Sequence, residues 1–100
     1  DPEMSRGLGD VYKRQAILCL KDKSECYAFF EDICTVKEIE TISQRYEVAK
    51  MLRENRTYID IAEATGASTA TISRVNRSLN YGCDGYDMVF KRLDEEKKDE

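Results

Sequence analysis

The chain has 100 residues, 41% of them apolar and 36% charged, with a formal net charge of −4, one proline, four cysteines and no histidine. That length makes one small domain with a modest core, to which a partner chain would add stability. The composition excludes a basic, histone-like protein. The absence of about 18 consecutive apolar residues excludes a membrane-spanning helix, and the lack of His and of a paired-cysteine motif argues against a zinc site.

Residues 1–15 differ from the rest. Pro2, Gly7 and Gly9 interrupt any helix, no apolar period runs through them, and no apolar signal segment is visible. The string GLGDVYKRQ resembles peptides made when sequencing-adapter DNA is translated at a fragment end, in which case the native chain starts upstream and breaks off near Gln15. The alternative is a natural disordered arm. No function is read from this segment, and it is set apart from a helical domain at 16–93 and a charged tail at 94–100.

From Ala16 onward every segment reads as helix, and no later proline forbids it. AILCLK (16–21) predicts a short apolar helix. Ser24 is a candidate N-cap for a second, carrying Cys26, Phe29, Phe30 and Ile33 at three- and four-residue spacing. Thr35 and Glu38 form a capping box ahead of a helix of about 18 residues, with Ile39, Ile42, Tyr46, Ala49 and Leu52 as its apolar stripe. Asn55 suits the left-handed residue that ends it. A weaker cap at Thr57–Asp60 opens a short helix, 58–65, ending at Gly66. Ser68 caps a helix over 69–80 that ends near Asn80–Gly82. A last helix starts at about Gly85, and DEEKKDE (94–100) reads as a frayed, solvated tail.

The cysteines are Cys19, Cys26, Cys34 and Cys83. The first three sit among Ile, Leu, Phe and Val at helix-like spacing. They read as small buried hydrophobes with reduced thiols, not bridges, which predicts a cytoplasmic protein. No His is present to serve as base for a cysteine nucleophile. Neither a metal constellation nor a Gly-rich phosphate loop occurs, so an enzyme is not expected.

The informative stretch is TYIDIAEATGASTATISRVNRSL (57–79), which fits two helices joined by a tight turn. Ile61 supplies a buried anchor, Ala62 is small enough for a close helix crossing, and Gly66 permits positive φ in the turn. Ile72, Val75 and Leu79 face the core. The opposite face carries Thr69, Ala70, Ser73, Arg74 and Arg77. No acidic residue occurs from Gly66 to Gly82, in a chain with 20 of them. Short hydroxyl and methyl groups can approach base edges in a major groove, Arg takes phosphate or guanine, and a helix N-terminus favours phosphate. Ser68, Thr69, Ala70 and Ser73 are therefore candidate base-reading residues. Arg56, Thr57, Arg74 and Arg77 are candidate backbone contacts. A solvated helical hairpin, or a protein-interaction module that kept the helix-turn-helix shape without DNA binding, is the rival reading. The overall acidity favours the rival slightly.

At these residues the sequence resembles the Trp repressor superfamily, in particular its Trp-repressor-related, YerC/YecD-type branch. The segment 25–82 resembles that branch nearly throughout, most specifically at GASTATISRVNRSLNYG (66–82), and the likeness spans roughly 16–92. It implies an all-α, intertwined homodimer in which Ile17, Leu18, Leu20, Phe29 and Phe30 bury against the partner. The two reading heads would meet double-stranded DNA in half-sites about 34 Å apart, on a two-fold operator. A repressor is the expectation. The resemblance also carries over a corepressor site: Thr35, Arg45 and Arg74, with the Arg45 match requiring one residue fewer in the loop near Arg56. The family's tryptophan pocket has a Gly directly after the recognition-helix Arg, where this chain has Val75. A branched side chain there predicts weak or no tryptophan binding, leaving another small effector or none, and no cofactor.

Overall fold

A computed structural model describes residues 13–98. All regular structure among them is helical: α1 (13–18), α2 (Lys23–Ile33), α3 (Val36–Arg53), α4 (Tyr58–Thr65), α5 (Thr69–Tyr81) and α6 (Gly85–Lys98). No helix of the described residues is long and apolar enough to cross a membrane. The chain divides between Val36 and Lys37 into two compact units. The expectations for residues 1–12 lie outside the described residues. Residues 13–15, set apart on sequence, belong to α1.

In the N-terminal unit the first helix stops at Leu18, earlier than the 16–21 expected. The Leu20 N–H closes onto the Ile17 carbonyl at 3.2 Å, a tightened turn, and Asp22 is fully extended (φ −150°, ψ 178°). An extended Asp22 cannot continue a helix, and it takes the capping role expected of Ser24. Its Oδ1 accepts from the Glu25 N–H at 2.9 Å, while Glu25 Oε1 accepts from the Lys21 N–H at 2.9 Å. The reciprocal pair favours the carboxylate two residues before Ser24 over its hydroxyl. Phe29 and Phe30 meet edge to face at 5.6 Å. No α2 residue is fully buried.

The cysteines correct the sequence reading. All four are free thiols, but Cys19 and Cys26 are exposed and Cys34 is only half-buried. They follow the apolar period of arms whose apolar faces the chain itself leaves open: Leu18 is 83% exposed, and Ile17, Tyr27 and Ile33 are exposed too.

In the C-terminal unit the core gathers Val48, Ala49, Met51, Ile61, Ala67, Ile72, Val75 and Phe90. The long helix buries Val48, Ala49 and Met51, not the whole stripe expected. Ile42 is exposed, because this helix is apolar on more than one face and the local core uses only the face of its last turns. It ends as the sequence predicts: Asn55 takes φ 62°, its N–H bonds the Leu52 carbonyl at 3.0 Å, and the Arg56 N–H bonds the Met51 carbonyl at 3.1 Å. This double closure satisfies carbonyls the helix would leave open. The last helix lies on α3 through Phe90, whose ring is 5.3 Å from that of Tyr46 and 5.5 Å from the Arg53 guanidinium. Arg53 also pairs with Asp87 at 2.9 Å. Residues 94–98, expected to fray, are helical. Glu and Lys are good helix formers, and lack of an apolar period means lack of burial, not lack of helix.

Ile61 is completely buried at the centre of this core. Ile61→Ala should lower unfolding free energy by about 2–5 kcal/mol in urea denaturation followed by circular dichroism. A loss below about 0.5 kcal/mol would contradict the packing described.

Candidate nucleic-acid interface

Each end of α4 is set by its own sequence. Thr57 Oγ1 accepts from the Asp60 N–H at 3.1 Å, capping the start. At the other end Gly66 adopts φ 72° and its N–H bonds the Ala62 carbonyl at 2.9 Å. Thr65 locks the turn from both sides. Its hydroxyl donates to the Ile61 carbonyl at 2.7 Å and accepts from the Ala67 N–H at 3.2 Å. From α3, Gln44 donates to the Thr65 carbonyl at 3.1 Å. Ala67 is buried in the turn itself, a plug that sequence reading missed; a small apolar residue directly after the turn glycine was its only signal.

The next helix, α5, opens on Ser68, whose Oγ accepts from the Thr71 N–H at 3.1 Å and donates to Thr71 Oγ1 at 3.1 Å. Ile72 and Val75 are buried and Leu79 packs against the core beside them. Thr69, Ala70, Ser73, Arg74 and Arg77 are all exposed on the other side. Because Ile72 and Val75 occupy the inner face, helical geometry turns these five residues outward together. Neither Arg74 nor Arg77 enters an ion pair among the described residues. The helix N-terminus, two guanidinium groups and no carboxylate between residues 66 and 82 combine into one electropositive ridge.

The remaining predicted residues are placed less uniformly. Ser68 lies at the leading tip, but its hydroxyl is engaged in the cap, as is that of Thr57. Arg56, just before α4, reaches Asp60 at 3.7 Å in an exposed pair, which is worth little and readily broken. Arg45 is exposed on α3. Thr35 immediately precedes that helix, in the N-terminal unit. Val75, the residue expected to fill the tryptophan pocket, is a buried core member, 2% exposed. Among the described residues no group of three or more Cys, Asp or Glu side chains is placed to hold a metal ion.

Two helices crossing over a glycine turn, the second anchored within and polar without, define a helix-turn-helix protein of all-helical build. The chain belongs to the Trp repressor family: the family model for the Trp repressor protein matches residues 13–94. It is 60% identical over 80 residues to the uncharacterized protein YerC of Bacillus subtilis (strain 168), covering 80% of this chain and 77% of that protein. The crystal structure of a TrpR-like protein from Eubacterium eligens superposes with a TM-score of 0.80 at 69% identity, over 88% of this chain and 89% of that one. That of a candidate Trp repressor from Staphylococcus aureus gives 0.86 at 50% identity, over 92% of each chain.

The turn supplies a direct stability test. Gly66→Ala forces a side chain into the left-handed region and should cost about 1–2 kcal/mol, and Ser68→Ala about 1 kcal/mol through the lost cap. Both are read from urea melts. Wild-type stability in both variants would show that the turn does not set the helix.

Proposed function

We propose that the protein is a sequence-specific DNA-binding transcription regulator, a repressor, that reads a two-fold operator as a homodimer. The observation that carries this reading is the outward ridge of α5: hydroxyl, methyl and guanidinium groups on a helix whose inner face is locked into the core. Thr69, Ala70 and Ser73 approach base edges; Ser68, expected beside them, has its hydroxyl engaged with Thr71 and is assigned instead, with Arg74, Arg77, Arg56 and Thr57, to the sugar–phosphate chain.

A face that bound protein would be expected to expose large apolar groups. Residues 68–77 expose none, which favours nucleic acid over the interaction-module reading for this stretch; Ile59 on α4 and Tyr81 at the end of α5 are the nearest large apolar side chains in sequence exposed on either side of it. The homodimer is supported by apolar surface elsewhere. Leu18, Tyr27, Ile33 and Val36 in the N-terminal unit, and Met88, Val89 and Leu93 on α6, are exposed in the single chain.

The test is affinity for duplexes selected from a randomised library, measured across a salt series. Binding should weaken steeply with salt, since each phosphate neutralised releases counterions. Arg74→Ala and Arg77→Ala should weaken all duplexes and each lower the salt slope by about 1, whereas changes at Thr69 or Ser73 should alter preference among duplexes. A flat salt response would overturn the reading.

Any effector that controls this protein is, on the same reading, not tryptophan. By the family resemblance tryptophan would need the space beside Arg74 where this chain has Val75, a branched side chain packed in the core, and overfilling such a site costs on the order of 1–3 kcal/mol. Calorimetric titration with L-tryptophan should show weak binding or no saturable heat, and a tight one-to-one isotherm would contradict this.

A further inference from the structure

Tyr81, in the last turn of α5, is 86% exposed, above every other exposed large apolar side chain among the described residues. At about 100° per residue it stands roughly opposite Ile72, the centre of the buried stripe. It also continues the ridge, seven residues from Arg74 and four from Arg77. This is not a frayed end. The Gly82 N–H bonds the Ser78 carbonyl at 2.9 Å, and a Cβ at Gly82 would run into that same carbonyl oxygen. The chain therefore closes the helix beyond Tyr81 with the residue that fits there, so the backbone that carries the exposed ring is helical to its end.

The residues of its own helix favour an anionic occupant: Arg77 and Arg74 precede it by one and two turns with no carboxylate between, although Asp84 follows three residues later, past the helix end. From Ala70 to Tyr81 the helix rises about 16 Å. A major groove is about 12 Å wide and 8.5 Å deep. A helix that enters with residues 69–73 brings its trailing turn out at the rim, where the sugar–phosphate chain passes. The dipole at a helix C-terminus opposes an anion, and Arg77, one turn earlier, offsets it.

Resting on the DNA-binding reading above, we propose that Tyr81 is a sugar–phosphate contact. Its hydroxyl donates to a phosphate oxygen at the groove rim, and its ring packs on the neighbouring deoxyribose. It sets the seating of α5 and reads no base.

The experiment compares the full-length wild type with Tyr81→Phe and Tyr81→Ala on a library-selected duplex and on a scrambled one. Tyr81→Phe should weaken both by about tenfold, as expected for a hydrogen bond to a charged group. The salt slope should stay unchanged, because no cation is lost. Tyr81→Ala should weaken both further. A methylphosphonate at the contacted phosphate should abolish the difference between wild type and Tyr81→Phe. If wild type binds DNA and both variants bind equally well, the assignment is wrong. It is equally wrong if the loss tracks a change in sedimentation, which would make Tyr81 a protein contact. Failure of wild type to bind any duplex would remove the DNA-binding reading, and this inference with it.

Discussion

What faces outward on α5 depends on what its inner stripe is wedged against. Ile72 and Val75 share one cluster with Ile61 of α4, Ala67 of the turn, Val48 of α3 and Phe90 of α6. Four elements thus share one core with these two side chains. A packed interior yields little to rotation or slippage, so the outer residues inherit its precision. The left-handed Gly66 sets the direction from which α5 arrives, and Thr65, bonded on both sides of the turn, keeps that direction. A reading head needs such rigidity, since ordering a loosely held helix on docking would cost entropy that offsets its favourable interactions with the duplex.

The charge distribution follows a similar division. The chain is acidic overall, yet its 20 carboxylates leave the stretch from Gly66 to Gly82 empty. Within about a Debye length at physiological salt, a polyanion docking on that ridge meets Arg74 and Arg77 ahead of the acidic remainder. The exposed pair of Arg56 with Asp60 yields readily when a phosphate competes for the guanidinium. On the proposed reading, net repulsion from the rest of the molecule would discourage other orientations, so that acidity would favour docking specificity.

The helix-turn-helix was legible because its signals are local. Thr57, Gly66 and Ser68 each act on backbone groups within four residues, and the 72/75/79 stripe needs only one partner surface. Asp22 and Ser24 show the limit of such signals: both are competent caps, and Glu25 reaching back to Lys21 decides between them. Cys19, Cys26 and Ile42 show another. Periodicity reports that a face is apolar but not whether the same chain covers it, and here it does not. Val48 and Met51 join the core without a sequence signal of their own, since a long helix with two apolar faces leaves the choice between them to tertiary packing. Tyr81 reads in sequence as part of a helix end, because a tyrosine has no signature until its exposure and its alignment with Arg74 are known together.

Amide hydrogen exchange of the intact protein, with and without saturating duplex DNA, bears most directly on the claim that α5 is the surface that meets the double helix. The account predicts that added protection in the presence of DNA concentrates in residues 68–81 and the first turn of α4. Protection confined to α3 or α6, with residues 68–77 exchanging as they do in the free protein, would contradict it.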